Sequence, residues 1–165
     1  MGLMSRRRFT RTRSGEYRVR LDPSERAMLA SLPDQLERLL TGPSLGDDVA
    51  RLFPTAYVDD ASLDEEYQRL MRGELVRRRL SSVEVVRETL SSDVLTDEQL
   101  NAWIRVLNDI RLILGTLLDV SEDTDVLDVD PSAEDASQRV VYYVLSGIVG
   151  EAVDALMDGL PAGAD

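Results

Sequence analysis

The sequence predicts a mainly α fold: a single-domain bundle of about five helices behind an N-terminal β-hairpin. Three observations predict it. Helix start signals recur at Asp22-Pro23-Ser24-Glu25, Ser62-Leu63-Asp64-Glu65 and Thr96-Asp97-Glu98-Gln99, each a capping oxygen followed three residues on by an acid or amide. Downstream of each, apolar residues return every three or four positions. A period of two residues, the signature of a half-buried strand, occurs in the first twenty-one residues. At 165 residues the chain suits one domain, which at this size buries roughly 70% of the surface of its unfolded form.

In order, residues 1–8 read as a basic, disordered tail carrying Arg6, Arg7 and Arg8. Residues 9–21 read as the hairpin, two alternating runs joined at Ser14-Gly15 by a loop of two or three residues. Tyr17, Val19 and Leu21 share one face, and Arg18 and Arg20 the other. A hairpin alone is marginal, so its apolar face is expected on the helices that follow. Those helices fill 22–160.

The first carries Leu29, Leu32, Leu36, Leu39 and Leu40 and is interrupted by Pro33, which predicts a kink or a break into two helices. Gly42-Pro43 ends it. A short helix is expected from Asp47 to Leu52, then a loop from Phe53 to Asp60 anchored by Phe53 and Tyr57. A long helix follows to about Leu90, with Leu63, Tyr67, Leu70, Leu75, Leu80, Val83, Val86 and Leu90 inward and a bend at Gly73. The next runs from Thr96 to Leu118, and the last opens at Asp130-Pro131 and stops near Met157, before Gly159 and Pro161.

That last helix, residues 132–158, is apolar almost all round, which suits a central packing position or, alternatively, the seam of a homodimer, with Gly147 and Gly150 permitting close backbone approach. No apolar run reads as the ~20 residues of a membrane span, nothing reads as a secretory leader, and no cysteine is present, so a cytoplasmic location away from membranes is expected.

Composition excludes more chemistry than it suggests. The chain has nineteen arginines but no lysine, no histidine and no cysteine. Thiolate nucleophiles, imidazole bases, Schiff-base lysines and Cys/His zinc sites are therefore absent, as are a glycine-rich phosphate loop and a nucleophile elbow. No catalytic group, cofactor or metal ligand is expected. Residues 119–130 form an acidic connector in which Asp119, Ser121, Asp123, Asp125 and Asp130 fall at EF-hand ligand spacing. Thr124 stands where the loop needs glycine and Asp130 where it needs a bidentate glutamate, so a solvated connector is the better reading.

Two arginine groups merit structural scrutiny. The chain carries −12 overall, yet residues 1–20 carry +6 and the remainder −18. Arg11, Arg13, Arg18 and Arg20 of the basic arm are the candidate partner-binding residues, for an acidic protein or for DNA phosphate. Arg111 interrupts the stripe Leu100, Ile104, Leu107, Leu114, Leu118, so a buried ion pair is expected, with Asp59 or Asp60, or an acid of the last helix, as partner.

The order of these features, with Leu52-Phe53-Pro54-Thr55-Ala56-Tyr57, Asp59-Asp60 and Ala102-Trp103-Ile104-Arg105-Val106-Leu107-Asn108-Asp109-Ile110-Arg111-Leu112, resembles a small actinobacterial family of helical proteins, the AosR-like (actinomycete oxidative-stress regulator) family. The resemblance implies a cytoplasmic, non-enzymatic regulator, often encoded beside the adaptor of the Clp protease. The named branch is associated with cysteine-based redox sensing, and this chain has no cysteine with which to run it. Two functions are consistent with the resemblance: a stress-linked transcriptional regulator acting through protein partners or DNA, or a helical interaction module or homodimer linked to Clp-type proteolysis.

Overall fold

A computed structural model describes residues 6–42, 52–53, 55–120 and 130–160. Among these, two strands open the chain, β1 (Phe9–Arg11) and β2 (Tyr17–Val19), followed by α1 (Pro23–Thr41) and α2 (Ala61–Thr89). A third strand, β3 (Val94–Leu95), then leads into α3 (Asp97–Leu117) and α4 (Ala136–Asp158). The mainly helical prediction is right, but the described residues hold four helices rather than five. Most of the expected short helix at 47–52 lies outside them, and Leu52 itself stands in a turn.

The hairpin is the edge of a three-stranded antiparallel sheet in the order β1-β2-β3. Its loop has three residues: Thr12 N–H donates to Glu16 O at 2.7 Å, and Gly15 N–H closes the turn on Thr12 O at 3.1 Å. Gly15 sits at φ +88°, the left-handed conformation that this loop type assigns to glycine. Phe9 opposes Val19, and Arg11 opposes Tyr17. Phe9, Tyr17, Val19 and Leu95 are all buried.

Helix α1 begins on a complete capping box, with Asp22 accepting from Glu25 N–H and Glu25 accepting in return from Asp22 N–H. It runs through Pro33 as a single helix, and the proline ring is buried beside Leu29, Leu32 and Leu36. The predicted break is therefore not present. The hydrogen bond that proline cannot donate is outweighed by apolar burial on that side.

Helix α2 begins on Asp60, which accepts from Leu63 N–H at 3.0 Å, and not on the Ser62 that the sequence suggested, and the apolar positions of its first half do not face a core. Leu63 and Leu70 are exposed, whereas Val83 and Val86 are fully buried. The expected inward stripe therefore exists in the C-terminal half only. The Phe53–Asp60 segment is tied down by another route: Ala56 and Tyr57 N–H both donate to Asp64 Oδ1, and Tyr57 meets Tyr67 edge-on at 5.8 Å. Gly73, in the exposed half, has nothing within 4 Å of a built Cβ. Gly73→Ala should stabilise the fold by about 0.5–1 kcal/mol, read as a raised midpoint in urea.

Helix α3 is capped by Thr96 and Gln99 and is packed on two sides, by α2 and by α4. Its centre is Trp103, fully buried, whose indole N–H donates to Thr89 Oγ1 at 2.7 Å. Helix α4 starts at Ala136 rather than at Asp130-Pro131, because Asp130 Oδ1 accepts from both the N–H and the hydroxyl of Ser132 and holds a turn there. It covers α3 and β1 with Leu145, Ile148, Val149, Ala152 and Ala155. Its opposite side exposes Val140, Val153 and Met157, so it is a flank of the bundle and not its centre. By length and composition alone α4 is apolar enough to cross a bilayer, contrary to the sequence reading. Residues 121–129 of the acidic connector, with Thr124, lie outside the described residues.

Candidate partner-binding surface

The alternation in β2 decides what the arm presents. Tyr17 and Val19 face inward, and Arg18 between them faces out, opposite Thr10 on β1 and Val94 on β3. Arg13 lies in the exposed turn, and Arg20 is exposed just past β2. Among the described residues none of the three forms an ion pair with the protein's own carboxylates.

Arg11 differs. Because it opposes Tyr17, it belongs to the inward face, at the end of the sheet. Its side chain lies over Gly159, where a built Cβ would come within 2.8 Å of Arg11 Nε and 3.0 Å of the Tyr17 hydroxyl. Burial, with Asp97 next, pushes the Tyr17 phenol up, and Arg11 pulls it back. All four arginines are exposed, and Arg13, Arg18 and Arg20 share the outer rim while Arg11 turns toward Gly159 and Tyr17.

The preceding arginines are clasps. Arg7 reaches Asp158 at 3.2 Å on the surface. Arg8 reaches Glu25 of α1 at 2.6 Å and Glu151 of α4 at 2.9 Å, and its backbone N–H donates to Glu151 as well. Residues 1–5 lie outside the described residues, but Arg7 and Arg8 are part of the fold rather than of a loose tail.

Arg111 is half-buried, and among the described residues it pairs with neither Asp59 nor Asp60. Its Nη2 donates to Asn108 Oδ1 at 2.9 Å, one turn away, and its Nε is buried without a partner among the described residues. Asp60 caps α2, and Asp59 is exposed in the preceding turn. The buried charge on α3 is instead Asp109, at 8% exposure, paired with Arg79 of α2 at 3.1 Å. Burial pushes the Asp109 carboxyl up, and Arg79 and Arg105 act in the opposite direction. Arg79 also donates to Leu52 O at 2.8 Å and stacks over the Phe53 ring at 5.2 Å. The sequence reading missed this pair because it expected one apolar stripe on a helix that is buried on two sides.

Between α2 and α3 this pair lines a cavity of about 490 Å³ with Leu75, Arg78, Ser81, Ser82 and Arg105. Arg79 is engaged by Asp109 and Arg78 by Glu74, and Arg105 donates to Ser82 Oγ at 3.2 Å.

The same fork geometry recurs across the molecule. Arg26 of α1 holds the carbonyls of Leu90 and Ser92 at the end of α2, and Arg139 of α4 holds Leu118 O at the end of α3. Arg87 of α2 gathers Asp34, Glu37 and Glu84, and hydrogen bonding to Glu37 above all raises its already high pKa further. A guanidinium can bridge two acceptors in different elements, which the point charge of lysine does poorly.

A family model described as Domain of unknown function (DUF2017) matches residues 6–156. Over 89 residues, 52% of this chain, the sequence is 36% identical to a Mycobacterium leprae (strain TN) protein provisionally named oxidative stress regulator AosR. The match takes in 41% of that protein, so the chain spans about two fifths of the length of this curated relative. The resemblance read from the Leu52–Tyr57 and Ala102–Leu112 segments is thus supported by direct sequence similarity. No solved structure matches the chain.

Proposed function

Because the chain belongs to the DUF2017 family and is similar over half its length to a protein named as an oxidative stress regulator, we propose that it is a non-enzymatic, stress-linked regulatory protein that works by binding an acidic protein partner. The observation that carries this reading is the outward rim of Arg13, Arg18 and Arg20, three exposed guanidinium groups that pair with no carboxylate among the described residues, in a chain that is acidic elsewhere. Opposite charge at the rim would steer and register an acidic surface. The location we favour is the cytoplasm. This chain has no cysteine with which to sense redox state, and we favour a signal that reaches it through a partner.

DNA is the weaker alternative for the same arginines. Two members of the basic arm, Arg7 and Arg8, already face acids of the protein, and the acidic body repels phosphate. The described elements also lack an exposed recognition helix beside the rim, so base readout has no obvious vehicle.

The test is charge reversal at Arg13, Arg18 and Arg20 together. Folding stability should change by less than about 1 kcal/mol, since exposed charges contribute little. Capture of partners from the native host should fall, with the lost proteins identified by mass spectrometry. Unchanged capture would remove the rim from the function. Tight DNA binding by the wild type, falling steeply with salt and lost in the variant, would replace the protein partner by nucleic acid.

A further inference from the structure

Helix α4 is apolar on two sides and buries one of them. Opposite Leu145, Ile148, Val149, Ala152 and Ala155, the positions Ala136, Val140, Tyr143, Gly147, Gly150, Asp154 and Met157 follow one another at spacings of four and three, which is the seam of a paired helix. Val140 is 53% exposed and Met157 60%. A Cβ built at Gly150 would meet nothing within 4 Å, and one at Gly147 only Arg8 Nη1, at 3.9 Å. Glycine inside a helix costs about 1 kcal/mol relative to alanine, and no neighbour among the described residues requires either of these two. A second backbone approaching closely would.

We propose that this seam pairs with the same seam of a second copy, antiparallel, about a twofold axis between Gly147 and Gly150. The inference stands whether or not the arginine rim takes a partner.

Two properties of the seam select a second copy in this orientation. An isologous contact must be self-complementary, each position meeting its counterpart across the axis. Centred there, Gly147 faces Gly150 of the second copy, letting the backbones approach, and Val140 faces Met157, filling the space where the helices diverge. Charge makes the same choice. In a parallel pair Asp154 and Asp158 would each face their own copies, like charge on like charge. In the antiparallel pair Asp154 faces Tyr143 and Asp158 faces Arg139, whose guanidinium already serves Asp135 and Leu118 O, so neither aspartate meets a like charge.

The absence of cysteine makes the test clean, because any introduced thiol is the sole one in the chain. Val140→Cys and Met157→Cys proteins, both altered at exposed positions, are oxidised separately and as a mixture, with Leu70→Cys in the exposed half of α2 as the collision control. The mixture should give a disulfide-linked dimer about tenfold above either protein alone and above the control. Wild-type protein should sediment as a dimer, and Gly150→Leu should weaken that dimer about tenfold or more, with circular dichroism showing its helices intact. Strong self-linking of Val140→Cys alone would overturn the antiparallel arrangement. A monomeric wild type that links no better than the control would overturn the proposal, and a monomer that instead co-sediments with phosphatidylcholine vesicles would assign the face to lipid.

Discussion

Arg79→Ala should destabilise this protein by about 3–5 kcal/mol, the range for removing one member of a buried ion pair. For a chain of this size that corresponds to a fall in melting temperature on the order of 10 °C. Arg79 is the residue whose loss should be felt most, because its guanidinium serves three groups on two other segments. It donates to Asp109 Oδ2 on α3 and to Leu52 O, and it lies over the face of Phe53. The two last contacts hold the segment that precedes α2 against the bundle, and both Leu52 and Phe53 are buried. Without Arg79, Asp109 is left as a desolvated carboxylate at 8% exposure with Val106, Ile110 and Ile113 on either side in sequence.

The pH dependence of the deficit separates loss of charge pairing from loss of packing. Burial raises the Asp109 pKa in the folded chain above its ordinary value even with Arg79 present, so the folded state holds the proton more tightly than the unfolded one. Asp109 therefore contributes a stability increment that grows as pH falls through the folded pKa, not as it rises. Removing Arg79 removes an influence that lowers that pKa and must raise it further. The variant's deficit should accordingly be largest near neutral pH and shrink on acidification, as the stranded carboxylate takes up a proton. Asp109→Asn, which keeps an acceptor without the charge, should cost less than Arg79→Ala by at least about 1 kcal/mol. Urea melts at several pH values give both comparisons. A deficit independent of pH would mean that packing on Phe53, not the ion pair, carries the effect.

What the sequence made legible was local. Asp22 and Thr96 cap the helices that their spacing announced, whereas α2 starts on Asp60 and not on the announced Ser62, and Tyr17 and Val19 turn inward as their alternation required. What it concealed were consequences of long-range packing. Val94–Leu95 is too short to show a period, and it becomes a strand because β2 offers it an edge. Leu63 and Leu70 have the helical spacing of core residues and are exposed, because the segment described against the start of α2 meets Asp64 and Tyr67 and leaves them uncovered. The seam of α4 was legible as an apolar helix, but its composition could not say which side the bundle would take. Arg111 drew attention as the odd residue in a stripe, whereas Asp109 passed unnoticed because its partner lies thirty residues away in sequence. In a protein whose cations are all arginine, sequence shows that forks are available but not which acceptors they bridge. Arg8 shows it well, since Glu151 is separated from it by 143 residues.

Arg8 therefore reverses the expectation that the first eight residues are dispensable. Arg8→Ala should cost about 2–3 kcal/mol, the upper range for hydrogen bonds to charged groups, because it releases two carboxylates at once. Glu25, whose side chain is 14% exposed, accepts from Arg8 Nε and Nη2 through Oε1 while its Oε2 completes the capping box at the start of α1. Glu151 on α4 accepts from Arg8 Nη1 and from the Arg8 backbone N–H. One side chain thus joins the first helix to the last, at the point where the Arg8 carbonyl accepts from Arg20 N–H and extends the hairpin by one hydrogen bond. The discriminating comparison is between two truncations. Removal of residues 1–7 loses, among the described ion pairs, the exposed Arg7–Asp158 pair alone and should change stability by less than about 1 kcal/mol, whereas removal of residues 1–8 should cost as much as Arg8→Ala or more. Arg8→Lys should recover less than half of the loss, since an ammonium cannot present the fixed fork that reaches Glu25 and Glu151 together. Thermal and urea melts of the four proteins decide it, and equal stability of the two truncations would return residues 1–8 to the status of a tail.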